Sequence, residues 1–220
     1  YDIVDEYAAL CPDKRAMVWC DDEGNKKTFS FGELKILSDR AASYFNRMGI
    51  KKGDKVMIVL KRRYEFWYVI LALHKIGAIG VPATHLLRQK DIVYRNQAGE
   101  IKAIICLNEA EIITEIELAM PESPTVQSLV MVNGKKDGWA SFEEGMAEST
   151  DAYVRPTGDA YPCNKDIMLL YFTSGTSGMP KMVLHDYNYP LAHIPTAQYW
   201  HCCIDDGLHF TISDTGWMKS

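Results

Sequence analysis

Residues 171–181 carry the densest concentration of chemistry in the sequence: Tyr171, Phe172, Thr173, Ser174, Gly175, Thr176, Ser177, Gly178, Met179, Pro180 and Lys181. Hydroxyl side chains and two glycines stand between an apolar run and a Pro-Lys pair. Glycines let the backbone approach an anion closely and turn several N–H groups toward it. The hydroxyls add donors, and Lys181 adds a full positive charge. Together these suit a polyphosphate. The spacing is not that of the P-loop, which needs four residues between its glycines and then Gly-Lys-Ser/Thr. Here Lys181 follows Pro180 instead. The plain alternative is a polar connecting loop. The order of hydroxyls, glycines and lysine directly after a buried run argues against it.

A second cluster invites a metal: His201, Cys202, Cys203 and His209. Adjacent cysteines are poor zinc spacing, and no C-x-x-C pair accompanies them, so no metal site is expected. The six cysteines are not spaced as a disulfide framework, and a chain of 220 residues does not need one. A reducing cytoplasm is the expected compartment.

Composition narrows the class. Hydrophobic residues make up 47% and charged residues 24%, the balance of a globular protein with a real core and not of a disordered chain. The net charge of −5, with Lys and Arg scattered, argues against nucleic acid, whose binding needs a basic patch. The densest basic run, Lys61-Arg62-Arg63, reads as a solvated strand end. No stretch reaches the ~18 apolar residues that a membrane span needs. No signal peptide is legible before Tyr1.

The elements that must position the loop read clearly. Ser30 and Glu33 form a capping-box pattern, with Phe29 and Leu34 placed as a hydrophobic staple. Leu34, Leu37, Ala41, Tyr44 and Met48 repeat on one helical face, and Gly49 ends that helix. Residues 56–60 read as a strand buried on both faces. Residues 65–76 are apolar nearly all round, a buried helix closed by Gly77. Strands follow over 78–83, 103–107 and 128–132, with helices over 89–98 and 109–120 between them. Residues 134–165 turn polar and Gly/Pro-rich, with one short helix from Ser141. Residues 167–172 resume as a buried strand. Strand–helix alternation with short connections predicts an α/β fold: parallel sheets flanked by helices. The expected organisation is a first α/β lobe over 1–165, with 134–165 as a surface crossover, and the start of a second lobe over 166–220.

Segment 171–181 resembles the phosphate-binding signature of the adenylate-forming superfamily, which includes acyl-CoA synthetases, amino-acid adenylation domains and beetle luciferases. Three other segments share the resemblance, in the same order along the chain. These are 27–34, ahead of the first long helix; 71–83, with Gly77-Ala78 and Val81-Pro82; and Ser213-Asp214-Thr215-Gly216-Trp217. The last is similar to the Asp-x-Gly-Trp segment of acyl-CoA synthetases. Met182 after Lys181, with His185 and the Ser-Asp-Thr-Gly-Trp run, looks most like medium-chain acyl-CoA synthetases. Acetate-activating enzymes share the Asp-x-Gly-Trp segment and stay close competitors.

The resemblance implies a two-step reaction. A carboxylate attacks the α-phosphorus of ATP to give an acyl-adenylate and pyrophosphate. The thiol of coenzyme A then displaces AMP. Medium-chain or aryl acids are favoured, with an acetate ligase, a carrier-protein-loading domain and a non-catalytic nucleotide-binding module as alternatives. Thr173, Ser174, Gly175, Thr176, Ser177 and Gly178 would cradle the β- and γ-phosphates, and Lys181 would neutralise the charge that builds on pyrophosphate. Mg²⁺ would accompany ATP. Trp217 would line the acyl pocket; its alternative role is core packing. Asp214 would form local hydrogen bonds, His185 would pack behind the loop, and His85 and Arg88 would lie near the coenzyme A channel unless Arg88 is a solvated helix start. The resemblance is to the N-terminal part of the large domain. The adenine and ribose motifs, the Mg²⁺ ligand and the family's catalytic lysine would follow Ser220, so residues 1–220 alone are expected to be inactive. The sequence is compatible with a homo-oligomer.

Overall fold

The computed structural model describes residues 1–173, 178–210 and 213–217. Its centre is a seven-stranded sheet with flanking helices. In chain order the elements are α1 (Asp2–Leu10), β1 (Arg15–Cys20), β2 (Lys26–Ser30), α2 (Phe31–Arg47), β3 (Lys55–Val59), α3 (Glu65–Ile76) and β4 (Ile79–Pro82). There follow α4 (Gln89–Gly99), β5 (Ile101–Leu107), α5 (Ala110–Ala119), β6 (Ser128–Val132), β7 (Ala140–Ser141) and α6 (Phe142–Ala147). The last are β8 (Ile167–Thr173), β9 (Lys181–Asp186) and α7 (Tyr189–Ala192).

The sheet order is β7-β6-β5-β3-β4-β8-β9. All pairings are parallel except β8 with β9. Strand β8, read from sequence as the opening of a second lobe, hydrogen-bonds into the same sheet, with Gly80 opposite Leu169. The alternation within β3 explains the two cores. Val56 and Ile58 face α2 and α3, packing with Phe45, Val69 and Leu73. Met57 and Val59 face α4 and α5, packing with Ile92, Ile112 and Ile116. A strand that must bury both faces has no polar alternation, and this is why it reads as a continuous apolar run.

Local signals are realised where the backbone physics is strong. The Ser30 hydroxyl accepts from the Glu33 amide at 3.2 Å, and the Glu33 carboxylate accepts from the Ser30 amide at 2.8 Å, closing the start of α2. Gly77 ends α3 in the left-handed conformation, φ +85°, where a side chain would be strained. The Ser141 hydroxyl likewise caps α6, accepting from Glu144 N at 3.4 Å. The crossover does more than span the surface. Phe142 is buried and stacks on Tyr68, with Tyr44 and Phe45 beside it.

That packing is tight. A Cβ at Gly145 would lie 2.2 Å from Tyr44 Cε2 and 2.3 Å from its Cζ. Gly145→Ala therefore overpacks the α2–α6 contact and destabilises the protein by about 1–3 kcal/mol, read as a lower urea midpoint at unchanged m-value.

Burial also sets one pH dependence. His74 is buried on α3, and desolvation pushes its imidazole down to about 3. The unfolded chain takes up this proton near about pH 6.5. The neutral ring's contribution to stability is complete above that pH and is lost as pH falls toward 3. The expected slope approaches about 1.4 kcal/mol per pH unit, and His74→Leu removes it in urea titrations run between neutral pH and acid.

Candidate functional site

Strand β8 ends at Thr173 and the chain returns as β9 at Lys181, with these two residues paired across the hairpin. The Thr173 hydroxyl donates to the Lys181 carbonyl at 3.5 Å. Ser174, Gly175, Thr176 and Ser177, assigned to the phosphate cradle, lie outside the described residues. Gly178 has φ +139°, a conformation that L side chains rarely adopt. Lys181 is exposed, and among the described residues it forms no ion pair. The base of the hairpin is anchored by α4. The Tyr94 hydroxyl donates to the Pro180 carbonyl at 2.8 Å, and the Arg95 guanidinium lies 5.2 Å over the Phe172 ring. On β9, Met182 is exposed and His185 stacks on Tyr189 at 3.9 Å. Desolvation lowers the His185 pKa. The sequence held no sign of β9, because a hairpin whose loop is dominated by glycine and hydroxyls hides the return strand.

The second part of the site lies one strand away. Strand β8 runs parallel to β4, so Thr173 leaves the sheet on the same carboxyl edge as Ala83 and Thr84. The turn 213–217 docks on that edge. The Thr215 side chain is buried, and its hydroxyl donates to the Lys61 carbonyl just past β3. Gly216 rests on the end of β4, where a Cβ would be 2.3 Å from Thr84 N and 2.5 Å from Ala83 C. Asp214 accepts from the Gly216 amide at 2.8 Å, matching the local hydrogen-bonding role read from sequence. Trp217 is 55% exposed within the described residues.

The carboxyl edge opens into a cleft of about 570 Å³. Lys61, His85, Asn108 and Asn133, which follow β3, β4, β5 and β6, line it together with Asp214, and Trp19 at the end of β1 closes one side. Open α/β sheets bind ligands outside the carboxyl ends of their strands. Lys61 pairs with Glu109 at 2.6 Å in this cleft. Arg88 points elsewhere: its guanidinium pairs with Glu115 of α5 at 3.1 Å, as a helix-start residue does. The β1–β2 hairpin that contributes Trp19 gave no clear sequence signal, since its strands are half exposed and short.

Among the described residues, no three His, Cys, Asp or Glu side chains are grouped to hold a metal. His201 and His209 approach with ring centroids 4.7 Å apart. Five of the six free cysteines are exposed, and burial pushes the Cys106 thiol up to about 12. No described helix is long and apolar enough to cross a membrane.

Fold and site together define an α/β protein that carries a glycine- and hydroxyl-rich loop at the carboxyl edge of a mostly parallel sheet. The profile of the AMP-binding enzyme family matches residues 4–215. The chain belongs to that family. It is 32% identical over 213 residues to rat (Rattus norvegicus) mitochondrial acyl-coenzyme A synthetase ACSM4, covering 95% of this chain and 36% of that protein. It is 34% identical over 206 residues to human (Homo sapiens) mitochondrial acyl-coenzyme A synthetase ACSM2A, covering 92% and 34%. Among solved structures it is similar to Brucella canis acyl-CoA synthetase, with TM-score 0.82, 20% identity, and 97% of this chain and 38% of that one covered. It is also similar to the anthranilate CoA ligase AuaEII in complex with anthranoyl-AMP, with TM-score 0.77 and 22% identity over 90% and 36%. The chain thus spans about a third of the length of the relatives it matches.

Proposed function

We propose that the whole protein is an AMP-forming acid–thiol ligase that converts a small or medium carboxylic acid, ATP and coenzyme A to acyl-CoA, AMP and pyrophosphate. The observation that carries this reading is the convergence of two separate segments on one edge. The glycine- and hydroxyl-rich hairpin leaves β8 beside the end of β4, on which the Asp-Thr-Gly-Trp turn is docked. Two anions must meet in this reaction, so aimed N–H groups and positive charge are the main catalytic requirement.

In this reading residues 173–178 hold the β- and γ-phosphates through backbone amides and hydroxyls, and Lys181 neutralises the departing pyrophosphate. Its exposure leaves the ammonium available for that role. Trp217, exposed and next to the docked glycine, forms a wall for the acyl group. Mg²⁺ accompanies ATP. Among the described residues, no three His, Cys, Asp or Glu side chains are grouped to hold it. Residues 1–220 alone are expected not to turn over. Medium-chain or aryl acids are favoured: the relatives named above are acyl-coenzyme A synthetases and an anthranilate CoA ligase. The free cysteines fit a reducing compartment, either the cytosol or the interior of the mitochondrion to which the names of the relatives refer. A homo-oligomer is compatible with this reading.

The test is pyrophosphate release by the full-length protein with ATP, Mg²⁺ and a panel of acids from acetate to decanoate and benzoate, with and without coenzyme A. Release with one group of acids, and a free thioester by mass spectrometry when coenzyme A is added, supports the ligase and identifies its substrate class. Release without any coenzyme A thioester would instead favour a domain that loads a carrier protein.

A further inference from the structure

Tyr94 touches both feet of one loop. That loop leaves the sheet after Thr173 and returns at Lys181, so its feet are Phe172 on β8 and Pro180, the residue before β9. The Tyr94 hydroxyl donates to the Pro180 carbonyl at 2.8 Å. Its ring meets the Phe172 ring edge-on, with centroids 6.1 Å apart and planes at 71°. Tyr94 belongs to α4, which the buried Ile92 fixes in the core beneath the sheet. The end of α4 closes on the same foot: a Cβ at Gly99 would stand 3.5 Å from Phe172 Cζ. The Arg95 guanidinium also lies over the Phe172 ring and donates to the Asp91 carbonyl at 3.1 Å.

The identity of the acceptor gives the contact its consequence. The Pro180 carbonyl belongs to the peptide unit that delivers Lys181, and that unit is planar. The pyrrolidine ring fixes φ of Pro180 and leaves ψ as the soft dihedral ahead of the plane. A hydrogen bond to the carbonyl fixes ψ, and the pairing of Lys181 with Thr173 holds the strand that follows. On the loop side Gly178, at φ +139°, has no Cβ to restrict the chain, so the restraint on Lys181 comes from α4.

We infer that Tyr94 is a positioning residue for Lys181: by holding the 180–181 peptide plane, its hydroxyl aims the ammonium at the departing pyrophosphate. The inference rests on the ligase reading, in which Lys181 neutralises that charge. The plain alternative is a hydroxyl that satisfies a carbonyl at the edge of a sheet. A bond of that kind contributes to folding and leaves the rate per folded molecule unchanged.

The experiment uses the full-length protein with Tyr94→Phe, Lys181→Met and the Tyr94→Phe/Lys181→Met double variant, each corrected for its folded fraction by urea unfolding. Tyr94→Phe keeps the ring against Phe172 and removes only the hydroxyl. It is expected to lower kcat for acid-dependent pyrophosphate release about tenfold, with KM for the acid unchanged. The loss is smaller than that of Lys181→Met, because the ammonium is still present and only misaimed. In the Lys181→Met background the same change has no further effect, since no ammonium is left to aim. An unchanged kcat, or a loss that persists undiminished in the double variant, would overturn the assignment. Calorimetric titration with inorganic pyrophosphate repeats the cycle without turnover. Tyr94→Phe is expected to weaken that binding several-fold when Lys181 is present and not at all when it is replaced. Equal binding by wild type and Tyr94→Phe, including no binding by either, would also overturn it. A wild-type protein that binds pyrophosphate but turns over no acid would count against the ligase reading, and the binding cycle would still decide the role of Tyr94.

Discussion

Lys75→Met lowers the stability of this protein by about 3–5 kcal/mol, although the new side chain is apolar and close to lysine in length. Lys75 is 1% exposed. Its ammonium donates to Asp39 Oδ1 at 2.6 Å and to the Ser38 hydroxyl at 2.8 Å, and it lies 2.9 Å from Asp5 Oδ1. Removing the cation leaves a buried carboxylate, Asp39, with only the Lys35 ammonium at 2.6 Å to compensate among the described residues. Breaking a buried pair from one side costs far more than the pair contributes, because the surviving charge stays desolvated. The control is Lys35→Met: the Lys35 side chain is 41% exposed, which limits the loss to about 1 kcal/mol. A Lys75→Met/Asp39→Leu double variant recovers much of the loss, since neither charge is then buried alone. Urea unfolding measures all three. A loss below about 1 kcal/mol for Lys75→Met would mean that water reaches this site and the network is not closed. The consequence reaches the functional edge: Lys75 ties α1 and α2 to α3, and α3 leads through Gly77 into β4, whose end carries Thr84 and His85.

Lys181→Met in the full-length protein slows carboxylate-dependent pyrophosphate release by about a hundredfold to a thousandfold, with little change in stability. The two halves of this prediction have separate physical causes. Lys181 is exposed and pairs with Thr173 through its backbone, so its side chain contributes little to folding. Charge builds on the leaving pyrophosphate only as the reaction proceeds, so an ammonium aimed there stabilises the transition state more than bound ATP. The expected signature is a fall in kcat larger than any rise in KM for ATP. A change confined to KM would make Lys181 a ground-state contact only. Lys181→Arg keeps the charge but spreads it over a planar fork, and recovers only part of the rate.

Legibility of the fold followed the strength of the local signal. The Ser30–Glu33 capping box, Gly77 at the end of α3 and the apolar runs of β3, β5 and β6 each rest on short-range physics, and each is found where the sequence indicates. Helix α1, the β1–β2 hairpin and β9 were not legible. Their strands are half exposed, and polar residues break the alternation that would mark a strand. Phe142 shows the same limit. The short helix from Ser141 is readable from its cap, but its burial against Tyr44 and Tyr68 depends on residues roughly a hundred positions or fewer away in sequence that only the fold brings together. The site divides in the same way. Residue types marked the 171–181 loop, whereas the Asp-Thr-Gly-Trp segment stood out only by its resemblance to acyl-CoA synthetases. That the two sit on neighbouring strand ends needed the parallel pairing of β4 with β8, which no local pattern encodes. The docking of Gly216 on Thr84 is equally a tertiary fact.

The most direct test of carboxylate activation is exchange of labelled pyrophosphate into ATP, catalysed by the full-length protein with Mg²⁺ and no coenzyme A. The exchange isolates the first half-reaction, because label enters ATP only if an acyl-adenylate forms and reverts. The ligase reading predicts exchange that depends on adding an acid from the medium-chain or aryl group and that collapses in Lys181→Met. Exchange with no acid of the panel, by folded protein that binds ATP, would contradict it and leave a nucleotide-binding protein without this chemistry.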